Sequence, residues 1–232
     1  MIQIVKRSKI TKVDNLKIRC LAILLSLVVL AMFLLIIKLN PLDVYVAIVQ
    51  GSFGSTYSIQ QTLIKAIPLI ISSLGIAIAF RMQFWNIGGE GQILMGAFAA
   101  TYFALKFSNM PKFPLLLLMF CAGVVGGGLW ALIAALLKGK WNTNETIVTL
   151  MLNYVAIKFI TYLQYGPWRD KAAMGFPKIP TFSDNATLPN VFGINAGWII
   201  AIVLAILVYV FIKYTKKGYE ISVLGESEKT AI

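Results

Sequence analysis

Histidine is absent from the 232 residues, and cysteine occurs only at Cys20 and Cys121, both in or beside apolar runs. Two such cysteines make neither a disulfide framework nor a Cys/His metal site. Without histidine, and with no nucleophile–base pair apparent, an enzyme is the weakest reading, and neither metal nor cofactor is expected. Charge is also scarce, at 13% of residues against 59% apolar, with a mean hydropathy of +0.80. Soluble domains are about a quarter charged, so that balance excludes a domain wetted on all sides. A phosphate-binding loop is missing too. Gly139-Lys140 is followed by Trp141 where Ser or Thr would be needed, so ATP is not bound through that motif. Acidic residues number nine against 21 basic ones, a net charge of +12. That excess would suit nucleic acid, but the basic residues sit between apolar runs, where they orient helices in a bilayer. No nucleic-acid partner is expected.

The apolar runs are long enough to cross a membrane, which takes about 20 helical residues. Six spans can be drawn, at 21–39, 62–80, 92–107, 114–137, 146–164 and 197–214. The sequence thus predicts an all-α integral membrane protein. It is divided into a basic cytoplasmic amino terminus (1–20), a transmembrane domain (21–214) and a cytoplasmic segment (215–232). Residues 41–60 suit an interfacial loop or short helix, and 165–196 form one long loop rich in Pro, Gly and Asn. With the amino terminus inside, the inner segments hold Lys6, Arg7, Lys9, Lys12, Lys17, Arg19, Arg81, Lys138, Lys140, Lys213, Lys216, Lys217 and Lys229. The outer segments hold Lys38, Lys106, Lys112, Arg169, Lys171 and Lys178. Cytoplasmic loops carry such an excess of basic residues. Lys65 and Lys158 lie in the outer parts of their spans, within snorkelling reach of headgroups.

Four segments stand out. In Asn86-Ile87-Gly88-Gly89-Glu90-Gly91-Gln92, three glycines weaken a helix beside three polar side chains. This reads either as a discontinuous helix lining a translocation path or as a tight cytoplasmic turn exposing Glu90. Further on, Glu145, Thr149 and Asn153 recur every four residues on one face. Such a stripe faces a bundle interior, either lining the path or bonding neighbouring helices, with Asn144 or Thr143 as helix cap. Gly123 and Gly127 form a GxxxG pair suited to close helix packing. Last, 215–232 is a mixed-charge segment, read either as a docking element or as a solvated tail.

Taken in order, Asn86–Gln92, Asn144–Tyr154, Tyr165-Gly166-Pro167-Trp168-Arg169-Asp170 and Gly218–Ile232 resemble the permease subunits of bacterial nucleoside-type ABC importers. These belong with the branched-chain amino acid and ribose permeases. The ribose-type branch differs at the first stretch, so the resemblance leans towards nucleosides. It implies an ATP-driven importer in the bacterial cell membrane, with ATP hydrolysed on a separate cytoplasmic ATPase. It also implies a second homologous permease and an extracytoplasmic substrate-binding lipoprotein. By the same resemblance 218–232 is the segment that couples to the ATPase, involving Gly218, Glu220, Gly225, Glu228 and Lys229. The stretch Gly225–Ala231 departs from the family, where Asn-Pro more often precedes the basic residue and paired alanines follow. Family members continue into further helices, so a carboxyl-terminally truncated permease is expected. The rivals are an ion-coupled secondary transporter, a simple-sugar permease and a membrane anchor without a transport role.

Overall fold

The computed structural model describes residues 12–226. Eight α-helices account for most of them, with one 3-10 turn and a two-residue hairpin in the long loop. The chain divides into two compact units, Met1–Thr62 and Leu63–Ile232.

In the first unit, α1 (Lys12–Ile36) stops before Lys38, which adopts a left-handed φ of 61°. Leu39 N–H bonds Leu34 C=O and Lys38 N–H bonds Leu35 C=O, a pairing that closes a helix end and normally falls to glycine. Next, α2 (Pro41–Phe53) is capped by Asn40, whose side chain accepts from Leu42 N–H, with Pro41 at the first helical position. Residues 41–60 therefore contain an ordered helix. The Tyr45 hydroxyl donates to Leu27 C=O at 2.5 Å, fixing α2 against α1.

Helix α3 (Thr56–Arg81) begins in the first unit and continues through the second. Pro68 lies inside it, and Ser72 donates to the Pro68 carbonyl at 2.6 Å. The second unit then holds α4 (Gly89–Lys106), α5 (Lys112–Trp141), α6 (Glu145–Tyr165), α7 (Gly197–Tyr214) and α8 (Lys216–Glu226). Among the described residues, five helices are long and apolar enough to cross a membrane: Leu16–Ile36, Thr56–Arg81, Lys112–Trp141, Glu145–Tyr165 and Gly197–Tyr214. Their apolar faces are open, with Leu24 59% and Val124 60% exposed, as helices meeting lipid require.

The expected span 92–107 is helical as α4 but falls outside that set. Its 18 residues reach only about 27 Å at 1.5 Å each. Its composition also differs, with Glu90 and Gln92 in the first turn and small residues where it packs against α5 and α6. A Cβ at Gly126 would lie 2.8 Å from Ala99 Cβ, and one at Gly96 would lie 2.9 Å from Gly123 C=O. Backbones this close are held by packing of small residues, as in membrane bundles generally. Gly127 contributes to the contact, but Gly126 makes the tightest approach to α4 from α5, a position outside the GxxxG pair.

The loop 166–196 covers the turn between α4 and α5. Asn185 donates to Met110 C=O at 3.1 Å, and Ala186 is buried with Ala104 and Leu115.

A cleft beside the start of α4

Helix α3 ends in the same way as α1. Gln83 takes φ 55°, while Phe84 N–H bonds Ala79 C=O and Gln83 N–H bonds Phe80 C=O. Residues 82–88 then turn the chain into α4. Asn86 Oδ1 accepts from Gly88 N–H at 2.8 Å, and its amide faces that of Gln92 with both N···O distances at 3.3 Å.

The start of α4 has no side-chain cap of its own. Helix α6 supplies the missing partners. Asn153 Oδ1 accepts from Gly91 N–H at 2.8 Å while its Nδ2 donates to Ile87 C=O at 2.9 Å. One turn earlier, Thr149 Oγ1 accepts from Ile87 N–H at 3.2 Å and donates to Glu145 C=O at 2.8 Å. Both side chains are buried. Away from water an unpaired amide is expensive, so these bonds hold an irregular backbone that could not persist alone. The glycines permit the approach. A Cβ on Gly91 would lie 2.8 Å from Asn153 Oδ1, and one on Gly88 would lie 2.9 Å from Thr149 Cβ.

Glu145 belongs to the same assembly. It pairs with Lys138 across the α5–α6 turn at 3.1 Å, and Asn144 caps α6 by accepting from Thr146 and Ile147 N–H. The indole N–H of Trp130, 3.1 Å from where a Gly91 Cβ would stand, is buried and has no partner among the described residues.

On the other side of α4 lies a cleft of about 600 Å³, lined from α3, α4 and α5. Asn86, Gly89 and Gln92 line it, with Ser72, Ile76 and Phe120 among the further walls. Among the described residues no lining side chain is ionisable. Gly88, Glu90, Gly91, Glu145, Thr149 and Asn153 are not in the lining. Glu90 is exposed and makes no ion pair among the described residues. The nine expected residues therefore divide: Asn86, Gly89 and Gln92 face the cleft, Gly88 and Gly91 abut Thr149 and Asn153, which brace its wall, Glu145 pairs with Lys138, and Glu90 stands outside. Ser72 and Phe120 were not singled out by sequence. The only signal for Ser72 was a serine pair inside an apolar run.

The carboxyl segment is a helix from 216, and it is docked. Arg81 Nε donates to Ser222 Oγ at 2.9 Å, and Gln83 Nε2 donates to Gly225 C=O at 2.5 Å. Gly218 and Gly225 lie within α8, not at bends. Gly218 abuts the Phe211 and Ile212 carbonyls of α7, and Gly225 abuts the Arg81 carbonyl. Glu220 pairs with Lys217 at 2.8 Å, and that ammonium holds its carboxyl below the ordinary carboxylate value. Glu228 and Lys229 lie outside the described residues.

Residues 58–232 match the family described as the branched-chain amino acid transport system permease component. A glucose ABC transporter permease protein of Haloferax volcanii is 34% identical over 224 residues, covering 91% of this chain and 58% of the relative. A guanosine ABC transporter permease protein of Bacillus subtilis is 29% identical, covering 93% of this chain and 63% of the relative. A nucleoside ABC transporter permease protein of Lactococcus lactis is 29% identical, covering 88% and 59%. The chain thus spans about three fifths of the length of these relatives. No solved structure matches it. With apolar helices in the number and length of a multi-pass membrane protein and a match over most of its residues, the chain belongs to the branched-chain amino acid transport system permease family.

Proposed function

We propose that this chain is the transmembrane permease subunit of an ATP-driven importer of nucleosides, seated in the cell membrane with its amino terminus cytoplasmic. The observation that carries this reading is the uncharged cleft with the Asn86–Gln92 amide pair on its wall. A free amino acid brings two opposite charges, and this lining offers no counter-ion to either. A nucleoside is neutral. Its base has a flat apolar face for walls such as Ile76 and Phe120, and a donor–acceptor edge for two primary amides.

In this reading α4 is a sixth, protein-wrapped span, and Gly89 sits where solute passes. ATP is hydrolysed on a separate cytoplasmic ATPase, which meets the α8 face. A second homologous permease completes the pore, and an extracytoplasmic lipoprotein delivers substrate. The sugar reading is favoured by the Haloferax relative, whose name specifies glucose.

Uptake in cells separates the two. Deleting the gene for this chain should abolish energy-dependent uptake of labelled uridine and guanosine, and restoring it should recover both, with leucine uptake unchanged throughout. Intact nucleoside uptake with lost glucose uptake would establish the sugar reading instead.

A further inference from the structure

A second cleft, of about 420 Å³, opens at the opposite end of α4 from the Asn86–Gln92 pair, where that helix and α6 finish. Tyr102, Lys106, Pro167, Trp168 and Arg169 are among its walls. Trp168, Lys106 and Tyr102 are locally fixed. The Trp168 ring stacks on Phe98 with centroids 5.2 Å apart and planes 19° from parallel, and the Trp168 backbone N–H bonds Leu163 C=O at 2.9 Å. Lys106 Nζ donates to the Tyr102 hydroxyl at 3.1 Å and lies 5.3 Å from that ring's centroid.

Neither Lys106 nor Arg169 has an acidic partner among the described residues. Asp170, next to Arg169, instead accepts from Ala172 N–H at 2.9 Å. Two unneutralised cations therefore share one concave site with an indole and a phenol. The site lies at the ends of apolar helices, the level at which headgroups lie and aromatic side chains collect. Just before it, the last turn of α6 exposes Tyr162 and Tyr165.

We infer that this cleft binds the phosphate headgroup of an anionic phospholipid. The guanidinium and ammonium would meet the phosphate oxygens. The aromatic and proline walls would border the glycerol and upper acyl region, beside helix faces already open to lipid. Charge complementarity selects this occupant, because a zwitterionic headgroup would set its own cation against Lys106 and Arg169. The inference does not depend on which solute the chain carries.

Native mass spectrometry of the purified full chain in detergent tests it, titrating phosphatidylglycerol against phosphatidylcholine of the same acyl chains, with inorganic phosphate as a third arm. Phosphatidylglycerol should bind preferentially. Lys106→Gln and Arg169→Gln should each weaken it about fivefold, the order expected for one basic side chain at an anionic surface. Lys106→Arg and Arg169→Lys should largely keep the preference. Lys112→Gln with Lys171→Gln, removing charges outside the cleft, should leave it intact. Equal binding of both lipids would overturn the inference, as would equal loss in the outside-cleft variant. Inorganic phosphate binding as tightly as phosphatidylglycerol would also overturn it, leaving a site for a free anion.

Discussion

Asn153 makes two bonds to backbone groups that have no other partner among the described residues, Gly91 N–H and Ile87 C=O. Asn153→Ala strands both groups in a buried site, a loss of about 1–3 kcal/mol by the usual cost of orphaned buried polar atoms. Unfolding in mixed detergent micelles measures it, with Asn153→Asp as a second variant that keeps an acceptor and loses the donor. Glycines make a sharper comparison, because the available space differs between neighbours in one helix. At Gly126 a methyl group meets Ala99 Cβ at 2.8 Å, whereas at Gly128 none of the described residues stands within 4 Å. Gly126→Ala should therefore destabilise by about 1–3 kcal/mol, typical of overpacking, and Gly128→Ala should be close to neutral in the same assay. Equal effects of the two substitutions would contradict the α4–α5 contact described above.

Among the elements, α8 carries a prediction of its own. It is held to the end of α3 by Arg81–Ser222 and Gln83–Gly225, with the Gly225 Cα against the Arg81 carbonyl. A side chain at 225 cannot fit without displacing one helix end. Hydrogen exchange across 216–226 should therefore rise markedly in Gly225→Val and only slightly in Lys217→Ala, whose exposed ion pair with Glu220 adds little. Unchanged protection in Gly225→Val would mean that α8 is not docked there.

The same elements indicate what the sequence could disclose. Long apolar runs announced α1, α3, α5, α6 and α7, because lipid demands an apolar surface all round. Helix α4 gave a weaker signal, since protein neighbours relax that demand and admit Gly, Thr and Gln. For α2, residues 41–60 were too mixed in composition to separate a loop from a helix. The Glu145–Thr149–Asn153 stripe was visible as a period of four, but periodicity does not say what a face touches. Only packing shows that Thr149 and Asn153 reach backbone while Asn86 and Gln92 reach the cleft. Gly88, Gly89 and Gly91 looked alike in sequence, yet two are pressed against α6 and one lies in the cleft wall.

At the scale of the whole molecule, the alternating direction of the helices fixes which loops share a side. Residues 138–145 and 216–226 belong to one end of the second unit, and 166–196 to the other. Basic residues favour the first as cytoplasmic. A reporter fused after Lys140 should therefore report cytoplasm, and one fused near Asp184 the exterior. The reverse result at Asp184 would invert the topology.

The central claim is that solute passes the uncharged cleft beside α4, and Gly89 tests it most directly. Among the described residues a Cβ there meets only Ile76, at 3.4 Å, an ordinary contact on the cleft wall. The measurement is labelled uridine uptake by cells carrying Gly89→Leu, set against Gly128→Leu at equal membrane levels. The account predicts that Gly89→Leu loses most of its uptake while Gly128→Leu keeps it. Normal uptake by Gly89→Leu would contradict a path through this cleft.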